Sequence, residues 1–137
     1  MGRHGAVKLL LDTHIWLWAL LEPERLSAQV KDALTAPDTE LWLSPISVWE
    51  ALLLAERGRI RVEGPPSVWV ERLLNAMPRR EAALTAEVAL ASRAVELSHE
   101  DPADRFLAAT ARVYDLVLVT ADERLRSGAG YRVLANV

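Results

Sequence analysis

The chain contains no cysteine, which excludes disulfides, thiolate metal sites and a cysteine nucleophile. Histidine is scarce as well. His4, His14 and His99 lie far apart in the sequence, so any metal site built here would be mainly carboxylate. There is no surplus of basic charge: 16 Lys and Arg stand against 19 Asp and Glu, for a formal net charge of −3. That argues against binding nucleic acid through a broad basic surface and leaves room only for a local basic track. Nor is there a long apolar run. The most apolar stretch, LLLDTHIWLWALL at 9–21, is broken by Asp12 and His14 and falls short of the roughly 20 apolar residues of a membrane span. It also lacks the uninterrupted apolar core and small-residue cleavage site of a signal peptide. The expectation is a cytoplasmic protein with no membrane partner.

What is present fits one domain. The 137 residues are 51% hydrophobic, enough to bury a core. Residues 1–6 read as a flexible tail and 7–137 as a single domain. Val7 to Leu11 has the continuous apolar character of a strand buried on both faces of a parallel sheet. Asp12 or Thr13 then caps a helix to about Leu21. Ser27 caps a second helix, stopped by Pro37-Asp38. Leu41 to Leu43 reads as a short strand before a helix from about Ile46 to Arg57, closed by Gly58. Pro65-Pro66 opens a further helix that ends before Pro78. Ala82 to Leu84 is expected as a third strand, and Thr85 as the cap of a helix to about Leu97. Asp101-Pro102 opens a helix through Tyr114, because proline favours the first helical position. Leu116 to Val119 is the clearest strand, and Tyr131 to Leu134 closes the chain as an edge strand. Strands alternating with helices imply an α/β domain with a mostly parallel sheet.

The acids fall at telling places. In open α/β sheets ligands sit beyond the carboxyl ends of the strands, near a switch in strand order. Asp12 directly follows the strand VKLLL, and Asp122 follows LVLVT. Glu50 lies inside SPISVWEALLLAERGRI, where Ile46, Leu53 and Leu54 share its helical face; it therefore projects from an apolar stripe, and buried lone glutamates are rare. In DPADRFLAATARVYDLVLVTAD, Asp101 has the look of an N-cap, while Asp104 falls in the first turn, where the helix dipole favours a carboxylate. Carboxylates gathered in one crevice repel by about 4 kcal/mol per pair at ~4 Å and an effective dielectric of ~20. Protons or a cation must neutralise them. Mg²⁺ or Mn²⁺ suits an oxygen-only donor set, and the implied chemistry is metal-dependent attack on a phosphoester by an activated water.

Four segments in this order, LLLDTHIWLWAL, SPISVWEALLLAERGRI, DPADRFLAATA and LVLVTADERL, resemble the PIN-domain ribonucleases, and most closely the VapC-type toxins of bacterial toxin–antitoxin pairs. The resemblance covers the chain from Val7 onward. It implies a three-layer α/β/α fold around a mostly parallel sheet of about five short strands. It also implies Mg²⁺- or Mn²⁺-dependent endonucleolytic cleavage of RNA, often structured RNA such as tRNA. The acidic site carried over from the family falls on Asp12, Glu50, Asp104 and Asp122, as catalytic and metal-holding residues. Asp101 is auxiliary, and Thr13 and Thr120 are hydroxyls able to orient a carboxylate or a water. The same resemblance implies homodimers and a cognate antitoxin that occupies the groove, with DNA met only indirectly through that antitoxin.

His14 reads as a packing residue rather than a ligand, His99 as a surface residue, and the five tryptophans mostly as core. Trp16 and Trp18 lie on a helix apolar nearly all round, which means deep burial or a partner interface. Arg57, Arg59 and Arg61, with Arg105, Arg124 and Arg126 near the acids, are candidate phosphate contacts, which position a substrate without reading its sequence. Three other readings compete. A haloacid-dehalogenase-type phosphatase needs a second Asp two residues after the first, where this chain has His14. A phosphoacceptor receiver needs a lysine after a late strand, and the only lysines are Lys8 and Lys31. The remaining alternative keeps the PIN fold without an antitoxin, as an RNA-processing nuclease or a non-catalytic RNA-binding adaptor; the intact acid set speaks against the adaptor.

Overall fold

A computed structural model describes residues 7–98 and 100–137; the expected tail at 1–6 and His99 lie outside the described residues. Five strands form one sheet: β1 (Val7–Leu11), β2 (Thr39–Leu43), β3 (Arg80–Glu81), β4 (Val117–Thr120) and β5 (Arg132–Ala135), in the order β3-β2-β1-β4-β5. Every pairing is parallel. The helices are α1 (Thr13–Leu21), α2 (Ala28–Thr35), α3 (Pro45–Glu56), α4 (Pro66–Asn75), α5 (Ala86–Ala91), α6 (Pro102–Val113) and α7 (Glu123–Arg126), with a short 3-10 turn at Pro23–Arg25.

The central strand begins exposed at Val7 and Lys8 and is buried from Leu9 to Leu11. Successive side chains leave a strand on opposite faces, and over those three leucines both faces are covered. Leu9 and Leu11 join a core formed with Ile15, Trp16 and Leu17 of α1, Val30 of α2, Ala51 of α3 and Val70 and Leu73 of α4. Leu10 points the other way, into a second core with Val88 of α5, Leu107, Ala108 and Ala111 of α6, Leu118 of β4 and Leu125 of α7. Burying one such leucine contributes about 2 kcal/mol, so a polar residue is costly over the buried half of β1, Leu9 to Leu11. Lys8 is accepted because the strand begins exposed, and the next polar residue comes where the strand ends, at Asp12.

The strand order reverses direction between β1 and β4, whose register pairs Leu9 with Val117, Leu10 with Leu118 and Leu11 with Val119. The Asp12 N–H extends this ladder to the Val119 carbonyl at 3.0 Å. Asp12 and Asp122 thus leave neighbouring strands on either side of the switch.

Two expectations shift. The third strand lies at Arg80–Glu81 rather than at Ala82 to Leu84, because the end of β2 meets it there, Trp42 against Arg80 and Leu43 against Glu81; Ala82 contributes only its N–H, to the Leu43 carbonyl at 2.9 Å. The helix capped by Thr85 ends at Ala91, not near Leu97. Beyond it the chain turns, and its carbonyls at Ser92 and Val95 accept the Arg105 guanidinium. Gly58 closes α3 as expected, at φ 70°, where an L side chain would be strained.

Candidate active site

Asp12 is 8% exposed, and the local backbone explains how a carboxylate sits at the end of an apolar strand. Its extended φ and ψ make it the N-cap of α1. One oxygen, Oδ1, accepts the Thr13 N–H at 2.7 Å. The other, Oδ2, accepts the hydroxyl of Thr120, the last residue of β4, at 2.7 Å. That hydroxyl in turn accepts the Asp122 N–H at 3.0 Å, so one threonine fixes both strand-end aspartates. Thr13 does the same across the groove: its hydroxyl donates to Glu50 Oε1 at 2.5 Å. Thr13 and Thr120 orient carboxylates, as the sequence suggested, and each reaches an acid remote from it in the chain.

These hydrogen bonds do not offset burial. Burial pushes the Asp12 carboxyl above the usual carboxylate range, and neighbouring Asp104 pushes the same way, against the Thr120 and Thr13 bonds. Burial likewise raises Glu50 to about 7, with Asp12, Asp104 and Asp101 adding to it against the Thr13 bond. The acids therefore lie within one another's field, and a positive charge among them would relieve it.

Asp104 is buried in the first turn of α6. Asp101, exposed, is the cap of that helix, its Oδ1 accepting the Asp104 N–H at 3.2 Å. Asp122 caps α7 through the Arg124 N–H at 2.8 Å. The Arg124 side chain returns to the same residue, Nη2 to Oδ2 at 3.2 Å, and reaches Asp104 Oδ2 at 3.7 Å. These two aspartates, with Asp101, hold the guanidinium protonated more firmly than usual.

A groove of about 330 Å³ opens beside the acids, lined by Thr13, His14, Trp49, Glu50, Arg57, Arg59 and Asp101 among others. It sorts the candidate arginines. Arg57 and Arg59 stand in its wall. Arg61 is exposed outside that lining, and Arg126 lines a separate hollow with Val133 and Ala135. Arg105 corrects the expectation outright: it is 7% exposed, with Nε donating to the Ser92 carbonyl at 2.9 Å, Nη2 to the Val95 carbonyl at 3.0 Å and Nη1 paired with Glu100 at 3.3 Å. It pins the turn after α5 to α6.

Sequence reasoning also missed two lining residues. His14 is exposed at the groove, its ring 5.8 Å from that of Trp18, and Trp49 is 51% exposed rather than core. Trp16 meets the expectation of deep burial, at 0% exposed.

The donor set suits a hard divalent cation in its chemistry: oxygen ligands only, crowded and under-neutralised. Among the described residues no three carboxylate or imidazole groups are so placed as they stand that they hold an ion together.

Over residues 9–131 the sequence matches the PIN domain family. The chain belongs to that family. Within it, this PIN domain is 39% identical over 120 residues to Ribonuclease VapC22 of Mycobacterium tuberculosis, covering 87% of this chain and 90% of that protein. Among solved structures the PIN fold here resembles a chain of VapBC2 from Rickettsia felis bound to a promoter DNA fragment, with TM-score 0.68 and 14% identity over 94% of this chain and 98% of that one. It also resembles a chain of FitAcB from Neisseria gonorrhoeae, with TM-score 0.63 and 23% identity over 93% and 97%. At those identities the structural likeness shows the fold.

Proposed function

We propose that this PIN domain is an Mg²⁺- or Mn²⁺-dependent endoribonuclease and the toxin of a toxin–antitoxin pair. The observation that carries the catalytic half is the crowding of Asp12, Glu50 and Asp104 at the strand-order switch, with two of the three pushed toward protonation by burial and by one another. The 39% identity to Ribonuclease VapC22 supports both halves, and the likeness to chains of toxin–antitoxin complexes supports an antitoxin partner.

Asp12, Glu50, Asp104 and Asp122 would hold the ion. Bound there, it supplies charge neutralisation for the scissile phosphate and a water acidic enough to attack at neutral pH. The chain's own residues do the rest. Thr120 and the Thr13 N–H fix the Asp12 carboxylate, and the Thr13 hydroxyl fixes Glu50. Arg57 and Arg59 grip phosphates along the groove, and the exposed face of Trp49 takes an unpaired base, as aromatic platforms do in single-strand binders. Arg124, beside the acids, is a further candidate for phosphate contact, and Arg61 and Arg126 are candidates outside the groove. The RNA is of a structured kind such as tRNA; the chain pairs as a homodimer, works in the cytoplasm and is silenced by an antitoxin lying in the groove.

The purified chain is expected to cut RNA when Mg²⁺ or Mn²⁺ is supplied and to stop in excess EDTA. Cleavage that persists in EDTA contradicts the metal reading. A short neighbouring gene for a DNA-binding antitoxin, whose product blocks cleavage, tests the toxin half.

A further inference from the structure

We propose that Arg124 is the acid site's own counter-cation, bridging Asp122 and Asp104 in the metal-free chain and yielding that place when a divalent ion binds. The inference rests on the metal-dependent reading above.

Three features point to it. First, the guanidinium touches two of the four candidate ligands, with Nε and Nη2 on Asp122 at 3.4 and 3.2 Å and Nη2 on Asp104 at 3.7 Å. It is a fork spanning carboxylates from two different elements, α6 and the turn before α7. Second, the attachment is built to release. The Arg124 side chain is 57% exposed, and ion pairs exposed to that degree are weak. The helix cap does not depend on it, because Asp122 receives the Arg124 backbone N–H; the side chain is free to leave without unwinding α7. Third, the other arginine beside the acids has no such freedom. Arg105 is buried and committed to the Ser92 and Val95 carbonyls and to Glu100.

An arginine cannot shed its charge at working pH, so it screens the acids continuously until it is displaced. It is also why the carboxylates stand apart: those of Asp104 and Asp122 are drawn onto a planar fork rather than a point ion. Once displaced, the same side chain is available to a phosphate. Arg124 is thus a positioning residue that exchanges one anion for another as the site fills.

The test is Mn²⁺ binding to the full chain, read from the paramagnetic resonance signal of free Mn²⁺, for the wild type, Arg124→Ala and Arg126→Ala. Removing the competing cation is expected to tighten Mn²⁺ about five- to tenfold in Arg124→Ala and to change Arg126→Ala by less than about twofold. A second readout is the Arg124 Nε–H resonance, expected to shift on addition of Mg²⁺ while that of Arg105 stays in place. Equal or weaker Mn²⁺ affinity in Arg124→Ala overturns the inference and leaves the metal reading standing. An equal gain in Arg126→Ala also overturns it, since general charge then accounts for the effect. If the wild type and both variants fail to bind Mn²⁺, the metal reading falls and the inference with it.

Discussion

Asp12 and Glu50 belong to two different elements and are held by the same residue, Thr13. Asp12 stands at the end of a strand, 8% exposed, with both oxygens taken by donors from the adjoining backbone and from the next strand. Glu50 stands in mid-helix, half-buried, with the Thr13 hydroxyl on one oxygen, and its wall continues into exposed Trp49, Arg57 and Arg59. The sheet wall is rigid because its charge is held by groups the fold already requires. The helical wall is held by one side-chain bond and offers open side chains. One carboxylate is fixed at a strand end by two donors; the other is held by one donor beside exposed side chains.

The contrast can be broken at Glu50. Glu50→Gln is expected to lower RNA cleavage about a hundredfold, a loss of about 2.7 kcal/mol in the transition state, while leaving the fold intact. It also changes the pH response of the metal-free protein. Burial holds the folded carboxyl at about 7 against 4.5 for a free glutamate, so between those values the folded chain retains a proton that the unfolded chain has released. Stability from this group is therefore lost as pH rises from about 4.5 to about 7 and is level above that. Melting temperatures measured in EDTA should fall across that window in the wild type and fall less in Glu50→Gln.

On the open wall the effects are smaller and electrostatic. Arg57→Ala with Arg59→Ala is expected to weaken RNA binding about tenfold at low salt. Losing two phosphate contacts should flatten the plot of log affinity against log salt by about 1.4, at ~0.7 per contact for a single strand. An unchanged slope would place the RNA elsewhere. The least effect is expected in the first turn of α6, where Asp104→Asn should raise the melting temperature in EDTA by a few degrees by relieving repulsion toward Asp12 and Glu50. A fall would show that its contact with Arg124 outweighs that repulsion.

Much of this was readable from residues alone, for local reasons. The second half of β1 is legible because Leu9, Leu10 and Leu11 are buried on both faces, which leaves three leucines in a row, and Asp101-Pro102 announces a cap and first turn that the structure places at those residues. Glu50 betrayed itself by interrupting an apolar stripe. What was hidden depends on tertiary partners. Arg105 and Arg124 are the same residue type near the same acids; only the carbonyls at Ser92 and Val95 make one structural, and only the fold brings Asp104 to the other. The edge strand escaped because Arg80–Glu81 is polar and pairs through its backbone, and α7 is four residues long, too short for any periodicity. Trp49 was misread because composition alone does not tell an exposed tryptophan from a core one.

If the strand-end carboxylates form a cation-dependent ribonuclease site, as we propose, Asp12→Asn is the substitution that must disable it. The amide keeps an oxygen for the Thr13 N–H and nearly the same volume, so the fold should persist by circular dichroism. Cleavage of RNA in saturating Mn²⁺ is expected to fall at least about a thousandfold, roughly 4 kcal/mol. Cleavage within a few-fold of wild type by a folded Asp12→Asn chain would contradict the claim.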